Sequence, residues 1–405
     1  MPARAAPRSK CVVLLSLIIA GALMATACGA PPAPTSLEIA ATPEGITPSS
    51  PYDPHISPPA RIRFEPISVE QGLSESSVYC TFQDSQGFLW FCTADGLNKY
   101  DGQGFTVYRP APEQNSISFN YVRSVCESPQ GVLWIATLGG GLDSLDTSTG
   151  LFNHSPYSPD PSSQSSSWLT TLLCDPDGTI WAGTMGVGLS RLDPSANRLV
   201  QHRYPGDLDD RNQGTVNAIH RERDGVLWIG TEGGLYRQDP TGQQFTHYRH
   251  DPGDPRSLSN DSIRAIYEDR EGVLWIGTGG GLDRFDRQQG VFDHYRHDPD
   301  DPGSLSHDSV QAIFEDREGV LWVGTEDGLN GFDRSTEQFV RYQNEPNDPA
   351  SLSSNWIWSI YQDREGVLWF GTYAGGVNKF DRFSQRFTHY KAIPGDPNSL
   401  SGDLI

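Results

Sequence analysis

Asp269-Arg270-Glu271-Gly272-Val273-Leu274-Trp275-Ile276-Gly277-Thr278 decides the fold, because this phrase returns with variation along most of the chain. Its Trp recurs at 90, 134, 181, 228, 275, 322 and 369, first 44 and then five times 47 residues apart. The unit extends backward to Ala265-Ile266-Tyr267-Glu268 and forward to Gly281-Leu282, Arg284-Phe285-Asp286 and Phe292-Asp293-His294-Tyr295. A period in the forties with four short strand-like pieces is the pattern of a β-propeller blade, so the chain reads as one supersecondary unit written seven times.

The pieces can be assigned one by one. An apolar residue stands twelve before each Trp (Val78, Val122, Leu169, Val216, Ile263, Val310, Ile357). Two positions later comes a small one (Cys80, Ser124, Thr171, Ala218, Ala265, Ala312, Ser359). That period of two predicts an innermost strand, a, whose small residues suit the crowded axis of a ring. Strand b begins at the Trp, after a turn such as Asp316-Arg317-Glu318-Gly319 whose Gly supplies a positive φ. Strand c carries the Gly-Leu and Phe-Asp pieces. Strand d carries Phe-x-x-Tyr, as at Phe245–Tyr248 and Phe387–Tyr390. The seven Trp are expected to pack between blades. His247, His294 and His389, on the outermost strands, are expected at the surface. Phe64-Glu65-Pro66-Ile67 reads as a strand d that arrives before any a, b or c, and so can complete the seventh blade and leave no open edge. The expected fold is all-β: a seven-bladed β-propeller of four-stranded antiparallel blades over 61–391, closed by the N-terminal strand 61–69. Residues 392–405 read as the start of a further repeat cut short.

The formal charge of −21 over 405 residues, without any Lys/Arg cluster, excludes a nucleic-acid partner. At the N-terminus Arg4, Arg8 and Lys10 precede an apolar run from Cys11 to Ala27 that ends in Ala25-Thr26-Ala27-Cys28-Gly29. Positive, apolar and small-residue segments in that order predict an export leader over 1–28. Two routes fit: signal cleavage after Ala-Thr-Ala, or lipid attachment to Cys28 as in bacterial lipoproteins. The second is favoured, with Ala25 standing where a lipobox usually has Leu. Residues 29–60, rich in Pro, Ser and Thr, read as a disordered tether. Export permits disulfides, and Cys80 and Cys92 lie on two arms of one predicted hairpin. Yet Cys80, Cys92, Cys126 and Cys174 all occupy core strand positions, so buried free thiols are the expectation. No metal site and no cofactor is expected. Acidic connections such as His250-Asp251-Pro252-Gly253-Asp254-Pro255 read as turns rather than calcium loops.

The phrases Gly272-Val273-Leu274-Trp275-Ile276-Gly277-Thr278 and Asp95-Gly96-Leu97-Asn98-Lys99-Tyr100-Asp101-Gly102, with Glu70-Gln71-Gly72-Leu73-Ser74, resemble the two-component regulator propeller. That repeat forms the periplasmic sensor region of hybrid histidine kinases and of some diguanylate cyclases. The resemblance covers about residues 61 to 405. It implies an extracytoplasmic sensing module, responding in well-known members to glycan fragments, and a signalling output domain in the same or a partner chain. Family members often carry a second propeller, an immunoglobulin-like domain, a membrane helix and a transmitter after the first. None of these later parts is found in the sequence, so it reads as a fragment held at the membrane by a lipid anchor or a missing C-terminal span.

Repetition explains what the blades share, so a binding site is expected where they differ, on the face that carries the d-to-a and b-to-c loops. Thirteen residues before the Trp stand Ser77, Tyr121, Trp168, Thr215, Ser262, Ser309 and Trp356. Eleven before stand Tyr79, Arg123, Thr170, Asn217, Arg264, Gln311 and Trp358. The b-to-c loop is one residue longer in blades two, three and seven, the last containing Tyr373. The exceptions form one arc of the ring. Tyr121, Trp168, Trp356, Trp358 and Tyr373 suit stacking on a sugar face, while Arg123, Asn217, Arg264 and Gln311 bond hydroxyls or a carboxylate. A small molecule or oligosaccharide is the expected ligand; plugging of the channel mouth by these aromatics, or their contact with a next propeller, is the alternative. No catalytic residue is assigned: His220 occupies an aromatic core slot, and Glu232 and Glu326 lie in b-to-c loops. A secreted lyase or glycosidase, and a lipoprotein scaffold for other proteins, are the rival readings.

Overall fold

The structure, a computed structural model, describes residues 57–111, 115–155, 167–202, 204 and 214–382. The leader with Cys28, most of the tether, the Phe387–Tyr390 strand with His389, and residues 392–405 lie outside them. The described residues form seven four-stranded antiparallel sheets. Six of them run a-b-c-d in chain order, from Val78–Gln83, Leu89–Thr93, Gly96–Tyr100 and Phe105–Tyr108 in blade 1 to Val310–Glu315, Leu321–Thr325, Gly328–Asp333 and Gln338–Tyr342 in blade 6. The seventh takes a, b and c from Ile357–Gln362, Leu368–Thr372 and Val377–Phe380. Its outer strand is Glu65–Ile67, paired antiparallel with Val377–Lys379. Strand a of each blade touches strand a of the next, and that of blade 7 touches that of blade 1, so the ring is closed. No helix among the described residues is long and apolar enough to cross a membrane.

Each b strand is buried along its whole length in blades 1 and 3 to 7, which is why it reads as a continuous apolar run around the Trp. The blades meet where strand b of one approaches strand a of the next. A Cβ on Gly277 would lie 2.7 Å from Val310 Cγ1, and one on Gly324 would lie 2.8 Å from Ile357 Cγ2. The Gly of the repeated Trp-Ile-Gly-Thr phrase is therefore set by the neighbouring blade's apolar residue.

The Trp has a polar tie as well as an apolar one. In six blades its indole N–H donates to a carboxylate six residues earlier, at the head of the a-to-b turn: Asp84, Asp175, Glu222, Asp269, Asp316 and Asp363, at 2.6–2.9 Å. Blade 2 has Ser128 at that place, and its Trp134 is only partly buried. Burying such a carboxylate is costly unless it is paired. The next blade supplies the cation: Arg221 meets Asp175 at 2.7 Å, Arg287 meets Glu222 at 2.5 Å, Arg334 meets Asp269 at 3.0 Å, and Arg382 meets Asp316. The Arg within the turn reaches forward to backbone carbonyls. Arg270 donates to Arg317 O, Arg317 to Arg364 O, and Arg364, across the closure, to Asp84 O and Ser85 O. The turn Gly that allows this shape has φ of +79°, +93° and +89° at Gly272, Gly319 and Gly366.

Two expectations are corrected. The four cysteines are not free thiols: Cys80 is bonded to Cys92, and Cys126 to Cys174. Cys80 and Cys92 are directly opposed across strands a and b of blade 1, with Cα atoms 5.0 Å apart, and Cys126 and Cys174 face one another from strands a of blades 2 and 3. Both pairs are within bonding reach because side chains of opposed and adjacent inner strands meet in the core. Nor is His294 a plain surface group. It is half-buried, with Nδ1 2.7 Å from the buried Asp283, and this bond raises its pKa above the ordinary value. His247 is exposed but stacks on Tyr236 with ring centroids 3.9 Å apart.

Candidate functional site

Every a strand carries the same irregularity. Its pairing with strand b slips by one residue between the apolar position and the small one: between Val78 and Cys80, Val122 and Ser124, Leu169 and Thr171, Val216 and Ala218, Ile263 and Ala265, Val310 and Ala312, and Ile357 and Ser359. The strict alternation expected for strand a is thus broken by a β-bulge. A bulge leaves one residue unpaired and re-aims its side chain. Here the extra residues are Tyr79, Arg123, Thr170, Asn217, Arg264, Gln311 and Trp358, one per blade.

All seven line one axial cavity of about 460 Å³, together with Cys80, Ser124, Thr171 and Glu232. Among the small residues, only those of blades 1 to 3 reach it. A cavity of this size lies within the usual range for small-molecule sites. Because the wall comes from a position where the backbone bulge repeats and six kinds of side chain stand in the seven blades, the fold is held constant while the surface chemistry varies.

The cavity has two walls of different character. On blades 7, 1 and 2 the rings of Tyr373, Trp356, Trp358, Tyr79 and Tyr121 form a continuous row, with successive centroids 4.9, 5.5, 5.6 and 5.1 Å apart. The Arg123 guanidinium lies against this row, 4.7 Å from the Tyr79 ring and 5.2 Å from that of Trp358. Burial lowers the Arg123 pKa and raises that of the Tyr79 hydroxyl. On blades 4 to 6 the wall is a hydrogen-bonded network. Asn217 donates to Glu232 at 2.6 Å. Glu326 Oε1 accepts from Arg264 at 3.1 Å, Ser309 at 2.7 Å and Gln311 at 3.0 Å. A carboxylate held by three donors through one oxygen orients Arg264 and Gln311, which suits recognition.

The structure therefore gathers Arg123, Asn217, Arg264, Gln311 and Trp358 around one space. Tyr121, Trp356 and Tyr373 join the same aromatic row. Trp168 stands apart on blade 3, exposed at 41%. Its main chain bridges to Leu138 and accepts from Met185 N, so blades 2 and 3 adjoin at the rim. The longer loops of blades 2, 3 and 7 show in the bond that pins them. Thr137, Thr184 and Thr372 Oγ1 donate to the carbonyl four residues on, whereas Thr93, Thr231, Thr278 and Thr325 reach only three. Sequence reasoning left Tyr79 and Glu232 out of the site. For Tyr79 the signal was its place eleven before the Trp, the position the bulge turns to the axis, whereas Glu232 belongs to a b-to-c loop. Candidate Cys28 lies outside the described residues. Among the described residues no group of three or more His, Cys, Asp or Glu is placed to hold a metal ion, and the Asp-Pro connections close on themselves, Asp251 accepting from Gly253 N and Asp254 from Arg256 N.

A closed ring of seven four-stranded blades defines a β-propeller, and its repeats have a name: six segments, 72–95, 116–139, 210–233, 257–280, 304–327 and 351–374, match the two-component regulator propeller, so six of the seven blades carry that family's repeat. Among solved structures it is similar to the extracellular domain of a protein described as a hybrid two-component system of B. thetaiotaomicron, at 28% identity and a TM-score of 0.66, over 79% of this chain and 42% of that one. A streptogramin B lyase shares the fold alone, at 16% identity, a TM-score of 0.58, and 79% and 98% coverage. A 53-residue stretch is 51% identical to a histidine kinase, P4, of Formosa agariphila, covering 13% of this chain and 4% of that protein. The chain thus spans about two fifths of the extracellular domain and a small part of the kinase.

Proposed function

We propose that this propeller is the extracytoplasmic sensing part of a two-component-type signalling system, binding a small molecule or oligosaccharide at its axial cavity. The observation that carries this reading is the cavity wall: seven bulged positions with one backbone and nearly seven different side chains, joined to a continuous aromatic row. Structure-keeping repetition would leave such positions alike; recognition requires them to differ. The resemblance to extracellular domains of two-component systems supports a signalling role, and two disulfides support an oxidising compartment. On this reading Cys28 is the lipid-anchoring residue, residues 61–391 are the sensing domain, and an output domain lies in the same or a partner chain. Ligand binding carries a signal only if it favours one arrangement of the propeller relative to that partner.

The test is a thermal-stability screen of the purified propeller against mono- and oligosaccharides and small metabolites, followed by titration of any compound that stabilises it. Trp358→Ala and Trp356→Ala are expected to weaken binding at least about tenfold, in line with the loss of a buried aromatic anchor. Undiminished affinity in both would remove the axial cavity as the sensing site.

A further inference from the structure

The unspent hydrogen-bonding capacity of the cavity points to the charge of its ligand. In the ring of blades Arg221, Arg264, Arg287, Arg334 and Arg382 each meet a carboxylate. Arg123 meets none within ion-pair distance among the described residues, although the chain carries 51 acidic groups against 30 Lys and Arg. Its neighbours are the hydroxyl of Tyr121, which accepts a hydrogen bond from it, and the faces of Tyr79 and Trp358, which attract a cation but do not neutralise it. The indole Nε1–H groups of Trp358 and Trp356 and Nε–H of Arg264 also lack an acceptor among the described residues, but they are fully buried and do not open onto the cavity, which leaves Arg123 as the group that sets its charge. On the opposite side Glu326 Oε1 accepts from three donors and Glu232 Oε1 from Asn217. A desolvated cation without a counter-charge is costly, so the favourable occupant of the space beside Arg123 brings a negative charge.

Resting on the sensor reading above, we propose that the axial cavity takes a small carboxylate-bearing ligand, its anionic end on Arg123 and its flat or CH-rich face against Tyr79 and Trp358. The planar guanidinium matches a carboxylate through two parallel N–H···O bonds. The aromatic faces beside it select a ring adjoining the charged group, and Asn217 and Gln311 meet polar groups at the far end. A sugar acid and an aromatic acid share this chemistry.

The experiment is calorimetric titration of the whole purified chain with two matched pairs, digalacturonic acid and its dimethyl ester, and 4-hydroxybenzoate and its methyl ester. Ester formation keeps the shape and removes the charge. One acid of the two is expected to bind, with its ester weaker by about ten- to a hundredfold, the loss of a charge-assisted hydrogen bond to a desolvated cation. Arg123→Gln should bring acid and ester level, whereas Arg123→Lys, which keeps the charge, should keep the preference for the acid. Circular dichroism of the variants separates a binding loss from a folding failure, and Arg123→Met, which also removes the charge, decides the matter if Gln does not fold. Equal binding of acid and ester, or an acid preference unchanged in Arg123→Gln, overturns the proposal and leaves the cavity a ligand site of other chemistry. Failure of both acids to bind overturns it too. The sensor reading falls with it only if no neutral sugar or metabolite binds either.

Discussion

Removing one cation between blades 5 and 6 tests how the ring is held. Arg334 follows strand c of blade 6. Its guanidinium donates to Asp269 Oδ2 of blade 5 and to Glu315 Oε1 of its own blade, both at 3.0 Å. The Arg334 side chain is 14% exposed, and those of Asp269 and Glu315 are fully buried. Asp269 also holds the indole of Trp275, so one carboxylate joins the core tryptophan of a blade to the cation of the next. Arg334→Met keeps most of the apolar stem and leaves two buried carboxylates without their shared cation. Breaking a buried pair in this way costs about 3–5 kcal/mol. The matched control is Arg284→Met, whose partner Glu337 is 57% exposed and whose loss costs about 0–1 kcal/mol. Urea unfolding at pH 7, followed by tryptophan fluorescence and far-ultraviolet circular dichroism, reads both variants. The sign with pH follows from the charges. Arg334 favours the ionised Glu315 of the folded state, so that part of its contribution is full at neutral pH and shrinks as pH falls and Glu315 protonates. Burial already pushes the Glu315 pKa up, which moves that loss toward milder acid. An Arg334→Met protein within about 1 kcal/mol of wild type at pH 7, or no less stable than Arg284→Met, would refute the proposed role of these bridges in ring stability.

Other expectations follow from the same geometry. Gly277→Val places methyl groups where a Cβ alone already lies 2.7 Å from Val310 Cγ1, so an overpacking loss of about 1–3 kcal/mol is expected in urea unfolding, and a neutral result would show that blades 5 and 6 can separate freely. The Asp283 hydrogen bond raises the His294 pKa, so its stabilising contribution is full below the ordinary value near 6.5 and is lost as pH rises through the raised folded value. Nuclear magnetic resonance titration should place His294 above that ordinary value, and the decline in urea midpoint from about pH 6 to 8 should be smaller in His294→Gln; a titration at or below the ordinary value contradicts this. Cys126→Ser with Cys174→Ser removes the covalent tie between the inner strands of blades 2 and 3 and should lower stability by about 2–5 kcal/mol under oxidising conditions, and reductant should cost the double variant less than wild type, because only Cys80–Cys92 remains to be reduced.

The fold was legible because each of its determinants repeats. The period of Trp90 to Trp369 gives the blade, the turn Gly gives the hairpin, and the apolar residue twelve before each Trp gives the inner strand. The polar logic was less legible. Asp269, Arg270 and Arg334 look like surface charges in the sequence, and only the approach of the next blade shows that they are tied to Trp275, to a turn carbonyl and to Asp269. The cysteines were misread because Cys126 and Cys174 are 48 residues apart, and nothing local reveals that adjacent inner strands bring them together. The site was half legible. Variation at positions eleven and thirteen before the Trp marked the right strand end, but a period of two gave both positions one orientation. The bulge separates them, sending Tyr79, Arg123, Thr170, Asn217, Arg264, Gln311 and Trp358 to the axis and leaving Trp168 exposed at the rim.

The indole ¹H–¹⁵N spectrum of the labelled propeller, recorded while a compound that raises its melting temperature is added, reads directly whether the axial wall is the recognition site. The Trp358 signal, assigned by its loss in Trp358→Phe, should move with the titration while the buried Trp90, Trp181, Trp228, Trp275, Trp322 and Trp369 stay in place. A titration that leaves Trp358 unmoved while Trp168 alone responds would place binding at the rim of blade 3 and contradict the account.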